Sequence, residues 1–153
     1  MRLISNVPLK IKEQDVEADF TLNTGEKAVF ILLYADRNVS PVKDLNQYLE
    51  KNLQETISYW KNWIAQSNYN GHWREMVNRS ALVLKLLTSS QYGSMVAAPT
   101  FSLPEVIGGE RNWDYRYTWV RDTSFSIFSL LNLGYTKEAR NFIKWIDERC
   151  SDI

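Results

Sequence analysis

The sequence predicts an α+β chain, and three observations carry that reading. Up to about residue 35 the chain reads as strands, with a clean apolar/polar alternation of period two in "VEADFTLN". From Leu45 onward, apolar residues return every three or four positions, the period of amphipathic helices. Between two of the helical stretches, Thr88 to Trp119 shows neither period and leads into "GGERNWDYRYTWVRD". That stretch, Gly108–Asp122, crowds two tryptophans, two tyrosines, three arginines and three carboxylates together.

Taken in order, "LISNVPLKI" reads as one or two short strands, with Pro8 at an edge or a break because it cannot donate to a ladder. "VEADFTLN" places Val16, Ala18, Phe20 and Leu22 on one face and Glu17, Asp19 and Thr21 on the other. "NTGE" is a turn. "KAVFILLYA" follows as a strand apolar enough to be buried on both faces. Such strands are too few to close a sandwich or a barrel by themselves.

Leu45, Leu49, Leu53, Ile57, Trp60 and Ile64 then form the stripe of a first helix. A second runs from about Trp73 to Leu87 through Met76, Val77, Ala81 and Leu84. The long aperiodic segment after it is of the length that compact domains reserve for functional loops. "DTSFSIFSLLNLG" is apolar on nearly every side and reads as a buried helix, with Asp122 as its N-cap and Gly134 as its C-cap. "TKEARNFIKWIDERC" closes the chain as a helix capped by Thr136, with Ala139, Phe142, Ile143 and Ile146 inward.

Composition narrows the partners. Lys plus Arg equals Asp plus Glu, 18 each, so the chain carries no net charge. That argues against nucleic acid or an anionic membrane, both of which recruit clustered positive charge. The single cysteine, Cys150, excludes an internal disulfide. The N-terminal stretch lacks the apolar core of a signal peptide, and "AVFILLYA" is too short to span a bilayer. The expected location is therefore the cytoplasm, and the sequons at Asn38 and Asn78 read as chance. His72 has no second histidine to work with, so neither a Ser-His pair nor a His-based metal site is expected; no metal cluster is visible in the sequence, and no cofactor is assigned.

The dense segment is rich in the groups that hold sugars. Sugar faces carry C–H groups that stack on aromatic rings, while hydroxyls pair with the guanidinium fork and with carboxylate oxygens. On an extended backbone Trp113, Tyr115, Tyr117 and Trp119 would share one side. Arg121 and Asp122 follow as a polar clamp. A structural reading stands beside this one: Asp122 caps a helix, Arg121 pairs with some carboxylate, and the aromatics line a core strand. The co-occurrence of all of them after a glycine-rich loop favours a site.

"RSALVLKLLTSS", "GSMVAAPTFSLPEVIGGERNWDYRYTWVRDTSF" and "LLNLGYTKEARNFIKWI" closely resemble glycoside hydrolase family 15, in its prokaryotic glucoamylase and trehalase branch. The likeness covers about residues 60 to 149, and "SSQYGS" departs from the Pro-Thr-Gly-Ala type of turn common there. It implies that residues 1–40 are the last strands of an antiparallel β-sandwich domain and that 41–69 are a linker helix. Residues 70–153 would then be the first helices of an incomplete (α/α)6 barrel. Arg121 and Asp122 match the pair that holds the glucose of subsite −1, and Trp119 and Tyr115 match aromatics lining it. Tyr117 and Trp113 lie in the same motif. The implied substrate is an α-glucoside: a maltooligosaccharide, starch or trehalose.

Members of the family invert the anomeric centre with one Glu as acid and another as base. Neither matches a position in this chain; Glu105 and Glu110 lie near the motif but do not correspond. The expected function is the glucose-binding part of an α-glucosidic hydrolase, inactive by itself. The alternative is a non-catalytic carbohydrate-binding subunit, or one completed by a partner chain that supplies the rest of the barrel.

Overall fold

The structure, a computed structural model, describes residues 1–34 and 42–151. The sequon at Asn38 and the end of the fourth expected strand at Ala35 lie outside the described residues. The chain packs as two compact units, Met1–Trp60 and Lys61–Ile153. Among the described residues, short antiparallel strands come first and four helices follow, so the fold is α+β, as the two periods predicted.

In the first unit, β1 (Arg2–Ser5) pairs antiparallel with β4 (Phe30–Leu33), in register from Arg2↔Leu33 to Ser5↔Phe30. Pro8 falls in the break before β2 (Lys10–Lys12), which pairs with β3 (Asp15–Glu17) as a separate hairpin. Asn6 ties the segments together: its Oδ1 accepts from the Val29 amide at 2.8 Å and its Nδ2 donates to the Lys27 carbonyl at 2.8 Å. Two sequence expectations change here. The alternation through Leu22 does not continue as strand, because β2 offers only three residues to pair with and the ladder runs out. Nor is β4 buried on both faces. Phe30 is 46% exposed and Leu32 66%, since a two-stranded sheet has nothing to cover its second side.

Helix α1 (Leu45–Ile64) takes the predicted span. Its stripe of Leu49, Leu53 and Ile57 stays exposed, and its buried side chain is Trp63. In the second unit that indole stacks on Tyr135, centroids 4.1 Å apart and planes within 8°. Its Nε1 donates to Glu138 Oε1 at 2.8 Å, and Lys85 Nζ donates to the same oxygen at 2.9 Å. A buried carboxylate thus joins the end of α1 to α2 (Arg74–Leu86) and α4 (Thr136–Cys150). Around it, Ala81, Met95, Ile127, Leu130, Ala139 and Phe142 form the core.

Helix α3 (Val120–Asn132) ends in a Schellman motif. Gly134, at φ +94°, donates to Leu131 at 2.9 Å, and Tyr135 donates to Leu130 at 2.9 Å. Gly134 therefore terminates the helix as expected, and the sharp reversal lets α4 pack back along α3. The expected N-caps are corrected. The Trp119 carbonyl already accepts from the Thr123 amide at 2.9 Å, so α3 starts at Val120 and Asp122 lies inside its first turn. The Schellman turn places Tyr135 at the cap of α4, leaving Thr136 as its first helical residue with no capping bond. Burial is also one-sided. Ile127 and Leu130 face the core, whereas Phe125 is 71% exposed, Phe128 63% and, on α4, Ile143 64%.

Candidate functional site

The segment without periodicity is held by backbone bonds rather than by helix or sheet. Thr88 and Met95 form an antiparallel bridge, and Val96 donates to the Leu87 carbonyl at 3.0 Å. Residues 97–105 then run against 111–117. Ala97 donates to Tyr117 at 3.1 Å, Ala98 to Tyr115 at 2.8 Å and Ser102 to Trp113 at 3.3 Å, with a bridge between Phe101 and Asp114. Ser102 Oγ reinforces the pairing by accepting from the Trp113 amide at 3.0 Å. Two hairpin-like turns thus replace a structureless loop. Thr123 Oγ1, buried in the first turn of α3, donates to the Met95 carbonyl at 3.3 Å and ties the helix start to the first of them.

This framework brings some of the predicted site residues together. Trp119 packs edge-on against Trp113, centroids 6.1 Å apart, and against Tyr115 at 5.4 Å. Its Nε1 donates to the Asp114 carbonyl at 3.4 Å. The chain turns at residues 115–117, so it does not present four aromatics as one flat strip. Tyr117 is left 67% exposed, outside the three-ring cluster. Trp119 ends the segment as the N-cap residue of α3, and Arg121 and Asp122 follow within one helical turn. Arg121 is exposed and Asp122 half-buried. Among the described residues neither side chain has a hydrogen-bond or ion-pair partner. The structural roles open to them in sequence, a cap and an ion pair, are therefore not the roles they take here.

Two other carboxylates near the cluster, Asp114 and Glu105, are engaged elsewhere. Asp114 receives Arg116 as a fork, Nε to Oδ1 at 3.0 Å and Nη2 to Oδ2 at 2.8 Å, and accepts from the Arg116 amide at 3.0 Å. The guanidinium hydrogen bonds hold its carboxyl below the usual aspartate value, which opposes the shift a general acid needs. Glu105 faces Arg111 at 3.7 Å. Glu138 is distant in sequence and buried in the core. Burial alone would raise its carboxyl, but hydrogen bonds from Lys85 and Trp63 together outweigh that and hold it low. Among the described residues no group of His, Cys, Asp and Glu has the geometry of a metal site.

Two features escaped the reading of the sequence. The Asp114–Arg116 fork was signalled only by opposite charges two residues apart, a spacing that does not by itself dictate pairing; here the turn at residues 115–117 closes it. Glu138 lies one helical turn before Phe142, on the inward face of an amphipathic helix, and an acid at such a position points to a buried partner. An apolar groove of ≈ 670 Å³ lies apart from the aromatic cluster, between α2 and α3, lined by Trp73, Met76, Val77, Leu84 and Leu133 among others. It contains no ionisable side chain, so it lacks the groups for glycoside chemistry.

The chain belongs to Glycosyl hydrolases family 15, whose sequence profile matches residues 71–153, more than half of its length. Named relatives agree on a narrower group. A trehalase of Thermoplasma acidophilum is 46% identical over 143 residues, 94% of this chain and 24% of that protein. A trehalase of Mycolicibacterium smegmatis is 39% identical over 95% of this chain and 22% of its own length. Trehalase 1 of Sulfolobus acidocaldarius is 43% identical over 68% of this chain and 18% of its own. The chain thus spans about a quarter of the length of the curated relatives it matches. No solved structure gives a significant match. Among the described residues, no helix is long and apolar enough to cross a membrane.

Proposed function

We propose that this chain supplies the glucose-binding part of an inverting α-glucosidic hydrolase, and that trehalose is its preferred substrate class. The observation that carries the reading is the conjunction at the start of α3: a three-ring aromatic cluster followed directly by an unengaged guanidinium and carboxylate. Trp119, Tyr115 and Trp113 offer faces for sugar C–H groups, with Tyr117 at the open edge. Arg121 and Asp122 offer donors and acceptors for vicinal hydroxyls. The trehalase names of the relatives favour an α,α-linked disaccharide over a starch-like chain.

Residues 1–40 fit the closing strands of a β-sandwich, 41–69 a linker, and 70–153 the first helices of a barrel. In such a barrel further helices would cover the exposed faces of α2 and α3. Inversion needs an acid and a base about 6.5–9.5 Å apart with water between them. Asp114 is forked by Arg116, Glu105 is ion-paired, Asp122 is assigned to hydroxyl binding and Glu110 matches neither catalytic position, so the isolated chain is inactive in this reading. A second reading, completion by a partner chain, is favoured by the apolar groove between α2 and α3.

Titration with trehalose, maltose and the β-linked control cellobiose, followed by tryptophan fluorescence and indole NMR signals, tests the proposal. The α-glucosides should perturb Trp119 and Trp113, cellobiose should not, and Arg121→Ala or Asp122→Ala should abolish the response. An unchanged response in Asp122→Ala, or none in the parent chain, would refute it.

A further inference from the structure

We propose that Asp114 and Arg116, the latter stacked on Phe101, are positioning residues that set Trp119 and Tyr115 in the arrangement that receives the sugar. This rests on the glucose-binding reading above and adds to it the residues that shape the aromatic part of the site.

One carboxylate takes three donors from one residue: the amide, Nε and Nη2 of Arg116, all within 3.0 Å. The guanidinium carbon lies 3.7 Å from the centroid of the Phe101 ring, a stacked cation–π contact. Phe101 in turn is bridged through its backbone to Asp114. Side chain and main chain therefore close a small ring of contacts, Phe101–Asp114–Arg116–Phe101, around the turn at residues 115–117.

That turn is where the two aromatics are aimed. Tyr115 lies inside it, its carbonyl held by Ala98 at 2.8 Å. Trp119 depends on it through the Asp114 peptide, whose carbonyl accepts the indole N–H at 3.4 Å. The carboxylate and the carbonyl of Asp114 thus face different partners, Arg116 and Trp119. Because the Arg116 amide is itself bonded to the carboxylate, losing that carboxylate loosens the turn whose backbone presents the carbonyl to Trp119. An exposed ion pair contributes little to stability as a rule, so what such a brace governs is conformation. A point charge cannot replace it, because lysine lacks the planar fork and the stacking face.

The test uses the whole 153-residue chain with Arg116→Ala, Arg116→Lys and Asp114→Asn, and Glu105→Gln as a control that removes a neighbouring ion pair. Two quantities are read: the ligand-free nuclear Overhauser contact between the Trp119 and Tyr115 rings, and the affinity for trehalose. The brace predicts that all three variants lose the ring contact and bind trehalose roughly ten- to a hundredfold more weakly. Arg116→Lys should fail to rescue, and the thermal midpoint and the control should be unchanged. Retained ring contacts with wild-type affinity would overturn the brace and leave the glucose-binding reading standing. So would lost contacts with wild-type affinity. A parent chain that ignores trehalose while its variants lose the ring contact would overturn the glucose-binding reading, and with it the role of the brace in sugar binding. A variant that loses helical circular dichroism is replaced by Phe101→Leu, which removes the stacking face alone and must weaken binding in the same direction.

Discussion

Asp122 and Glu138 are two acids on neighbouring helices with opposite duties. Asp122 stands half-buried in the first turn of α3 without capping it, where its charge interacts favourably with the helix dipole at about 0.3–1 kcal/mol. Asp122→Ala should therefore cost no more than that in chemical denaturation while removing the response to α-glucosides. A loss of about 2 kcal/mol would instead mark it as a cap. Glu138 is 3% exposed and holds both Trp63 and Lys85. Glu138→Ala strands an indole N–H and a largely buried ammonium, so a loss of about 3–5 kcal/mol is expected. The pH dependence follows from its lowered carboxyl. Its contribution is complete above the unfolded glutamate value of 4.5 and disappears as pH falls through the lower folded value. Urea midpoints measured from pH 7 down to pH 3 should therefore converge for Glu138→Gln and the parent chain at the acid end.

At the scale of elements, the loop that carries the candidate site is fixed by contacts with helices distant in sequence. Gly93, at φ +78°, passes so close to α4 that an added Cβ would lie 2.7 Å from Asn141 Cβ and 2.8 Å from its backbone. Neither the left-handed backbone nor the helix wall can yield cheaply. Gly93→Ala should cost about 1–3 kcal/mol or more and lower the thermal midpoint by several degrees. An unchanged midpoint would show that the loop is not seated on α4. The helices themselves were legible in sequence to within a residue or two, because α1, α2 and α4 each carry one sustained apolar stripe. Their caps were not. Asp122 and Thr136 have the right chemistry for capping, but the helix starts were decided by where Trp119 and the Schellman turn at Gly134 place the backbone.

For the molecule as a whole, what matters is how much apolar surface the helices of the second unit leave in water. Phe125 and Phe128 on α3 are more than 60% exposed, and Trp73 and Met76 border the groove beside α2. Contiguous apolar surface of that kind promotes association. Phe125→Ser with Phe128→Ser should reduce self-association of the isolated chain in sedimentation experiments without lowering its stability, since neither side chain is buried. A parent chain that is monomeric at every concentration would contradict this.

The sequence by itself determined the α+β order, the four helices of the described residues, the membership of the family, matched through residues 71–153, and the segment that holds the aromatic and charged motif. Those properties are carried by local periodicity and by a contiguous motif, and both survive without knowledge of contacts. Only the tertiary structure decided which of the four motif aromatics cluster, that Arg116 closes on Asp114, and that Glu138 is sealed beside Trp63. Each of these depends on a turn or a packing contact that local spacing does not settle: the motif residues have the strand period but sit on a turn, and Glu138 lies far from Trp63 in sequence. Side-chain direction there follows from where the backbone is held, and that is settled by partners elsewhere in the chain.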